Sequence, residues 1–167
     1  MLIPLIAIFI SSCGSGSSDS ENESISPEPI PVVNIDPHQV GTLSREIVHD
    51  NIIRRFILYV PDSYDRNAPT PLLFNFHGYG SNAEQQMNYG DFRSIADNEG
   101  FLILHPQGTR LPSTGSTHFN VGGWTRGSNI DDVGFTNYLI NVISRLYNID
   151  ELKIFSTGMS NGGFMSY

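Results

Sequence analysis

The sequence predicts an α/β fold in which helices cover both faces of a mostly parallel β-sheet. Two short apolar runs, at 72–76 and 101–104, have the length and composition of strands buried on both faces. A helical pattern follows each of these runs, and this alternation is typical of parallel sheets. A third apolar run, at 153–157, leads directly into a serine between glycines.

The folded part is predicted to begin at about residue 41, where apolar residues become frequent. The run 52–60 is rich in β-branched and aromatic residues and ends at Pro61, so it predicts a strand. Residues 62–71 are rich in turn-forming types. They connect this strand to the buried strand at 72–76.

The segment 83–98 predicts one helix, which Gly100 ends by adopting the left-handed conformation. The strand at 101–104 follows, and Pro106 stops it because proline has no N–H to donate to a sheet.

The pair Asp131 and Asp132 predicts the start of the next helix. Their side chains can cap its first turn and supply favourable negative charge there. A carboxylate pair also suggests acid–base chemistry or a metal site, but no neighbouring residue in the sequence completes either one, so capping is favoured. One face of this helix carries apolar residues at helical spacing: Phe135, Leu139, Val142 and Leu146.

The residues that follow the strand at 153–157 have the pattern Gly158-x-Ser160-x-Gly162. A serine placed on a tight, strained turn between a strand and a helix is the nucleophile elbow of α/β-hydrolases. The turn is so tight that side chains at 158 and 162 would collide, which explains both glycines. An ordinary glycine-rich turn is the alternative.

The order of residues along the chain predicts where the other catalytic groups lie. In α/β-hydrolases the nucleophile comes first, then the acid, then the histidine. Here every histidine precedes Ser160 in the sequence: His38, His49, His77, His105 and His118. We therefore expect the triad acid and histidine to lie beyond Tyr167, and the chain to be the N-terminal part of the catalytic domain, truncated after the elbow.

The loop His77-Gly78-Tyr79-Gly80 directly follows a predicted buried strand. In α/β-hydrolases a loop of this type gives one backbone N–H to the oxyanion hole, and the residue after the nucleophile gives the other. This predicts Tyr79 and Asn161 as the donors. His77 is expected to brace the loop, with substrate contact as a further candidate role. A turn that merely contains histidine and glycine is the alternative.

Trp124 lies in a long loop, rich in glycine, serine and threonine, between a predicted strand and a predicted helix. Loops at that edge of a parallel sheet commonly hold substrates. The indole could form a flat wall for a sugar or an aromatic acyl group. It could equally pack the loop against the core, and the sequence leaves both interpretations open.

Charge and cysteine content exclude several classes of function. The formal net charge of −8 argues against nucleic-acid binding, which needs a basic face. The single cysteine, Cys13, excludes an internal disulfide within this sequence and cannot build a metal site. We expect no metal and no organic cofactor.

The N-terminus predicts export and anchoring. Residues 1–10 are almost entirely apolar and have the length of a signal-peptide core. The following Ser11-Ser12-Cys13 completes a run that resembles a bacterial lipobox, in which the cysteine receives lipid. The departure is that no lysine or arginine precedes Arg45, and a plain secretory signal is the alternative.

We therefore predict three regions: a signal peptide at 1–13, a flexible tether rich in serine, glutamate and proline at 14–40, and a catalytic part at 41–167. The predicted location is extracellular, as a cell-surface or outer-membrane lipoprotein of a bacterium. The only predicted membrane contact is the lipid on Cys13.

Five motifs together resemble one family of enzymes. In order and spacing, HGYG, GGW, DDVGF, Asn148-Ile149-Asp150 and TGMSNGG are similar to the esterases grouped with polyhydroxybutyrate depolymerases and feruloyl esterases. The resemblance covers about residues 55–167. It implies an α/β-hydrolase fold and a secreted serine esterase with Ser160 as the nucleophile. The implied substrate is a polymeric or small ester, such as feruloyl or acetyl esters of plant polysaccharide or a polyhydroxyalkanoate.

Two other functions remain open from the sequence. A serine peptidase of the prolyl-oligopeptidase type shares the elbow and differs in residues that would follow it. A lipoprotein that uses a hydrolase fold only to bind glycan would need no triad.

Overall fold

The computed structural model describes residue 36 and residues 39–167. The predicted signal peptide at 1–13, including Cys13, lies outside the described residues, and so does the predicted tether at 14–40 except for residues 36, 39 and 40. In chain order the elements are β1 (Gly41–His49), β2 (Ile52–Val60), β3 (Thr70–Phe76), α1 (Ala83–Tyr89), α2 (Arg93–Glu99), β4 (Leu102–Pro106), β5 (Thr109–Arg110), β6 (Thr117–His118), a 3₁₀ turn (Gly123–Thr125), α3 (Asp132–Leu146), β7 (Ile149–Gly158) and α4 (Asn161–Met165).

The main sheet has five strands in the order β1-β2-β4-β3-β7. The strands β4, β3 and β7 run parallel, while β2 pairs antiparallel with both β1 and β4. The remaining strands, β5 and β6, form a separate short hairpin. The predicted α/β fold with a mostly parallel sheet is confirmed, and β7, the strand that precedes Ser160, pairs with β3.

An edge hairpin is formed by β1 and β2: the strand predicted at 52–60 is confirmed as β2, whereas its partner β1 was not predicted from the sequence. Its two strands are joined by Asp50 and Asn51, which both have positive φ, at 50° and 59°. Positive φ at both central residues is typical of the tight turn that connects twisted antiparallel strands. The sequence does carry a signal for β1, because its buried apolar residues Leu43 and Ile47 alternate with exposed positions, as in a strand with one buried face.

The single helix predicted at 83–98 is wrong, because two helices occupy that segment. The first ends at Gly90, whose carbonyl accepts a 3.0 Å hydrogen bond from the Asn75 side chain. Asp91 then accepts a 3.1 Å hydrogen bond from the backbone N–H of Arg93, in the first turn of α2. The predicted left-handed stop at Gly100 is confirmed by its φ of 71°.

Helices pack on both faces of the sheet, as predicted. On one face α3 buries Phe135, Leu139 and Val142 in the main apolar core, and Leu146 packs at its margin. On the other face α1 contacts β3. Here the Gln86 side chain of α1 donates a 2.8 Å hydrogen bond to the Asn75 side chain of β3. Successive side chains of a strand point to opposite faces of the sheet, so Asn75 lies on the α1 face and its buried neighbours Phe74 and Phe76 lie on the α3 face. The core on the α3 side is built from Leu43, Ile47, Phe56, Leu58, Val60, Leu72, Phe74, Phe76, Leu102, Leu104, Phe119, Phe135, Leu139, Val142, Ile143, Tyr147 and Ile149.

A buried ion pair joins β2 to the start of α3. Asp131 caps the helix as predicted, since its side chain accepts a 2.7 Å hydrogen bond from the N–H of Gly134. Asp132 has a different role that the sequence did not predict. Its carboxylate lies 2.5 Å from the Arg54 guanidinium, and both side chains are about 2% exposed or less. The same carboxylate accepts a 2.7 Å hydrogen bond from the N–H of Asn120, so the pair also fixes the long loop before α3.

Replacing Asp132 with alanine is expected to lower the free energy of unfolding of the full-length protein by about 3–5 kcal/mol. The change leaves the Arg54 charge buried without its carboxylate, and burying an unpaired charge is strongly unfavourable. Urea denaturation followed by circular dichroism measures the loss.

The matched control is Glu46→Ala, which breaks the Glu46–Arg55 pair on the edge hairpin. Both side chains of that pair are more than half exposed, so the expected loss is below about 1 kcal/mol. Equal losses for the two variants would contradict the structural role assigned to Asp132.

No helix among the described residues is long and apolar enough to span a bilayer. Within the same residues, β7 forms one edge of the sheet and pairs only with β3. Large apolar side chains on and after this strand are exposed, including Leu152, Phe155 and Phe164.

Candidate active site

The turn at Ser160 connects the end of β7 to the start of α4. Ser160 has φ 50° and ψ −111°, a combination that residues other than glycine rarely adopt. Holding a non-glycine residue in such a region costs on the order of 1–3 kcal/mol, and such residues cluster at functional sites. The side chain is exposed at this strained turn.

The glycines on either side of Ser160 are sterically required. A Cβ atom added to Gly162 would lie 2.2 Å from the Phe76 carbonyl oxygen, and one added to Gly158 would lie 2.5 Å from the carbonyl group of Gly162. No real Cβ atom approaches backbone so closely. The turn therefore folds in this form only with glycine at both positions, because β7, α4 and the end of β3 are in backbone contact there.

Backbone hydrogen bonds attach the turn to the end of β3. The N–H of Met159 donates to the carbonyl of Phe76 at 3.1 Å, and the N–H of Gly162 donates to the carbonyl of Met159 at 2.8 Å. Phe76 is the last residue of β3, so the 77–80 loop begins where the nucleophile turn is attached. A Cβ atom added to Gly78 would lie 3.8 Å from the Cβ of Ser160. The structure thus brings Ser160 and the 77–80 loop into contact.

Two backbone N–H groups beside Ser160 are the candidate oxyanion donors. Within residues 39–167, neither the N–H of Tyr79 nor that of Asn161 donates a backbone hydrogen bond between elements. Their neighbours do: Gly80 donates to the carbonyl of Thr117, and Gly162 donates to that of Met159, both at 2.8 Å. A pair of free N–H groups on either side of a serine hydroxyl can hold a developing negative charge.

The side chain of Asn161 has a second role, which the sequence analysis missed. It is fully buried, and its amide oxygen accepts a 2.7 Å hydrogen bond from the N–H of Phe119. Its amide nitrogen donates a 3.0 Å hydrogen bond to the carbonyl of the same residue. This two-point contact fixes the nucleophile turn to the loop after β6. A motif search cannot detect it, because the partner lies 42 residues away.

His77 is buried beneath its own loop. Its Nδ1 donates to the Gly78 carbonyl at 2.7 Å, and its Nε2 accepts from the N–H of Gly108 at 2.9 Å. Burial lowers the pKa of the imidazole below its usual value, so the ring is neutral near neutral pH and can donate and accept in this way. The ring also lies 4.6 Å from that of Phe119.

This environment decides between the roles considered for His77. The side chain is fully buried, so the substrate contact left open by the sequence does not fit the structure. Both ring nitrogens are engaged with the surrounding loops, so neither is available to take a proton from Ser160. The ring links the 77–80 loop to Gly108 and gives that loop a fixed position.

Trp124 is half exposed and packs edge-on against Tyr79, with ring centroids 5.3 Å apart and an interplanar angle of 70°. The tyrosine hydroxyl in turn contacts the Thr114 hydroxyl at 2.5 Å. Both roles considered for Trp124, packing of the loop and contact with substrate, therefore stay open. The indole packs against the 77–80 loop and also has an exposed face beside it.

Among the described residues, one group of side chains brings three metal-ligand atoms together. These atoms of His49, Asp50 and Asp131 lie within 4.8 Å of one another. No partners for Asp131 were evident from the sequence, because His49 and Asp50 lie at the end of β1 and in the turn after it, and β1 was not predicted. The group lies away from the nucleophile turn, and Asp131 already caps α3.

Comparison with known proteins relates the chain to esterases. No protein-family model matches it. A probable feruloyl esterase C of Aspergillus clavatus is 30% identical over 131 residues, which cover 75% of this chain and 43% of the relative. A bifunctional acetylxylan esterase/xylanase of Neocallimastix patriciarum is 27% identical over 110 residues, which cover 66% of this chain and 15% of the relative. The chain therefore spans less than half the length of these relatives.

The fold has counterparts among solved structures. An S-formylglutathione hydrolase from Agrobacterium tumefaciens superposes with a TM-score of 0.57 at 18% identity, over 80% of this chain and 53% of that chain. At this identity the likeness establishes the fold alone.

Proposed function

We propose that this chain, which has the α/β-hydrolase fold and is homologous to feruloyl and acetylxylan esterases, carries the nucleophile of a serine carboxylesterase. The observation that supports the proposal most strongly is the strained Ser160 turn. Its flanking glycines are packed against β3, and Gly78 of the 77–80 loop lies close to the Ser160 Cβ. The N–H groups of Tyr79, in that loop, and of Asn161, the residue after Ser160, donate no backbone hydrogen bond between elements within residues 39–167. A glycine-rich turn with no catalytic role has no need of a strained serine at this position.

The proposed mechanism is acyl transfer in two steps. The Ser160 Oγ attacks the ester carbonyl carbon as its proton passes to the general base, which becomes the general acid for the next step. The carbonyl oxygen becomes an oxyanion that accepts hydrogen bonds from the N–H groups of Tyr79 and Asn161. The alcohol leaves with a proton from the general acid, and an acyl-serine remains. Water then attacks the acyl group and releases the carboxylic acid and Ser160. Each oxyanion donor is typically worth about 3 kcal/mol in the transition state.

Buried His77 explains why the loop can act as a rigid oxyanion hole. A donor accelerates the reaction only if it is held in place before charge develops. The ring is hydrogen-bonded to Gly78 on one side and to Gly108 on the other, so it fixes the residue before Tyr79. We assign the general base to a histidine that follows Ser160 in the full-length protein, in the residue order of α/β-hydrolases.

The proposed substrates are feruloyl or acetyl esters of plant polysaccharide, with a polyhydroxyalkanoate as the second polymer to be tested. The first choice is favoured by the relatives, which are named as feruloyl and acetylxylan esterases. The test measures release of ferulate from methyl ferulate and of acetate from acetylated xylan by the full-length protein. A peptide substrate for prolyl oligopeptidases serves as the comparison. Hydrolysis of the peptide without hydrolysis of any ester would overturn the proposal, and so would inactivity toward all of these substrates.

We further propose that the protein is exported and held at the bacterial surface by a lipid on Cys13. The run Ile10-Ser11-Ser12-Cys13 supports this, because an aliphatic residue, two small residues and a cysteine are what a lipobox requires. The segment 14–40 would then act as a tether between the membrane and the catalytic part.

Cys13→Ala is expected to abolish incorporation of labelled palmitate in a bacterial host. The thiol is the atom that receives the lipid, so the variant has no acceptor. The measurement is autoradiography of the immunoprecipitated full-length protein, with Ser12→Ala as the matched control that keeps a small residue before the cysteine. Equal labelling of the wild type and Cys13→Ala would rule out the anchor.

A further inference from the structure

An open groove of about 760 Å³ lies beside the 77–80 loop. One wall is the start of β2, and the other is the β5–β6 hairpin. Gly80 and Ser81, which follow the loop residue Gly78 that lies close to Ser160, also line the groove. A groove of this volume is large enough for a ligand of several rings.

Most of the residues that line the groove have polar side chains. Ile53 is the only large apolar side chain among its lining residues. The polar lining combines hydroxyl, amide and guanidinium groups, including Arg55, Ser81, Asn82, Arg110, Thr114 and Ser116. Such a surface offers many hydrogen bonds and little area for burying an aromatic acyl group.

Arg110 is the cation of this groove that has no ion pair among the described residues. Arg54 is paired with Asp132 and Arg55 with Glu46, whereas Arg110 donates a 2.7 Å hydrogen bond to the Gly115 carbonyl. That bond uses one guanidinium nitrogen of an exposed side chain and leaves further donors directed outward. A guanidinium can donate two parallel hydrogen bonds to adjacent oxygen atoms of a ligand.

Direct contacts connect the groove to the proposed oxyanion loop. The N–H of Gly80 donates to the carbonyl of Thr117 at 2.8 Å, and both residues line the groove. The Tyr79 hydroxyl contacts Thr114, another lining residue, and the Tyr79 ring packs against Trp124. The half-exposed Trp124 ring therefore lies next to the groove, connected to its lining residue Thr114 through Tyr79.

We propose that the groove binds the sugar chain of an esterified polysaccharide, with Arg110 donating hydrogen bonds to it and the exposed face of Trp124 lying against a sugar ring. A pyranose has a rim of hydroxyl groups and a face of C–H groups. The polar groove matches the rim, and the Tyr79–Trp124 pair matches the face. This inference rests on the proposed esterase function, since it places the polymer beside the nucleophile.

The first experiment measures binding without catalysis. In the full-length protein carrying Ser160→Ala, isothermal titration is carried out with an arabinoxylo-oligosaccharide that bears no ester. Adding Arg110→Ala is expected to weaken binding at least fivefold, because the variant removes the donors and keeps the hairpin backbone. Arg110→Lys keeps the charge without the paired donors, so its dissociation constant is expected to lie between that of the protein with Arg110 and that of the protein with Arg110→Ala. The control is Arg145→Ala, which replaces an exposed arginine at the end of α3. It is expected to leave the dissociation constant unchanged.

The second experiment measures specificity in the active enzyme. Arg110→Ala is expected to lower the ratio of kcat/KM for a feruloylated arabinoxylo-oligosaccharide to that for methyl ferulate at least fivefold, mainly through KM. Thermal unfolding of each variant verifies that the hairpin is intact.

The outcomes separate this inference from the proposed function. Absence of oligosaccharide binding, or equal binding by the Arg110→Ala and Arg145→Ala proteins, overturns the groove as a sugar site even if methyl ferulate is hydrolysed. Inactivity toward every ester overturns the esterase proposal, whereas the calorimetric result still decides whether the groove binds a sugar chain.

Discussion

Ser160→Ala is expected to lower kcat for ester hydrolysis on the order of 10⁶-fold in the full-length enzyme. The proposed mechanism passes through an ester bond to the serine oxygen, and alanine offers no atom that can form it. Residual catalysis would come only from the oxyanion donors and from substrate binding. The measurement is the initial rate with methyl ferulate, together with a search for the acyl-serine by intact-protein mass spectrometry.

The matched control is Ser63→Ala, which removes the hydroxyl of a serine in the turn after β2. That hydroxyl donates a 3.2 Å hydrogen bond to the Asp97 carbonyl at the surface, so kcat should stay within twofold of the wild type. A Ser160→Ala enzyme that kept its rate within tenfold of the wild type would disprove the role of Ser160.

Gly162→Ala is expected to lower kcat at least 100-fold and to destabilise the protein by about 1–3 kcal/mol or more. The added methyl group would lie 2.2 Å from the Phe76 carbonyl oxygen, so β3 and the turn must separate. Separation moves Ser160 relative to the 77–80 loop, and a displacement of about 1 Å can cost 100-fold in rate. Rates with methyl ferulate and urea denaturation measure the two effects.

Gly163→Ala is the control next to it in the same helix. Its added methyl group would meet only the Gly158 carbonyl oxygen at 3.3 Å, which a shift of a few tenths of an ångström relieves. Alanine also favours the helix by about 1 kcal/mol relative to glycine. Similar losses for both variants would mean that the contact of Gly162 with Phe76 does not position the nucleophile.

The sequence was most informative where covalent geometry restricts the choice of residues. Gly158 and Gly162 have no acceptable substitute in this turn, so their pattern alone indicated the elbow and the strand before it. The buried strands β3 and β4 were equally visible, because apolar runs of that length have few alternatives in a soluble domain.

Features that depend on distant contacts were not predictable. Asp132 looked like a second capping residue because its partner, Arg54, lies 78 residues away. The buried side chain of Asn161 gave no signal, since its partners are backbone atoms of Phe119. The groove beside the 77–80 loop is formed by chain segments that meet only in the fold: 46, 53–55, 80–82, 107–110 and 114–117.

The break between α1 and α2 was missed for a local reason. Gly90 lies within the segment predicted as one helix, and its carbonyl accepts a hydrogen bond from the Asn75 side chain of β3. A tertiary hydrogen bond therefore decided where the first helix ends, and helix propensity is too weak to resist it.

The left-handed backbone of Ser160 also bears on how such a protein evolves. Glycine occupies that conformation without strain, so a change from serine to glycine at this position would stabilise the fold by up to about 1–3 kcal/mol while removing the proposed nucleophile. Natural proteins lie close to their stability threshold, and stabilising substitutions are readily available to them. In a lineage that no longer needs the activity, drift and selection for stability would both remove this serine. Its retention in a population is therefore a sensitive genetic indicator that the enzyme is still in use.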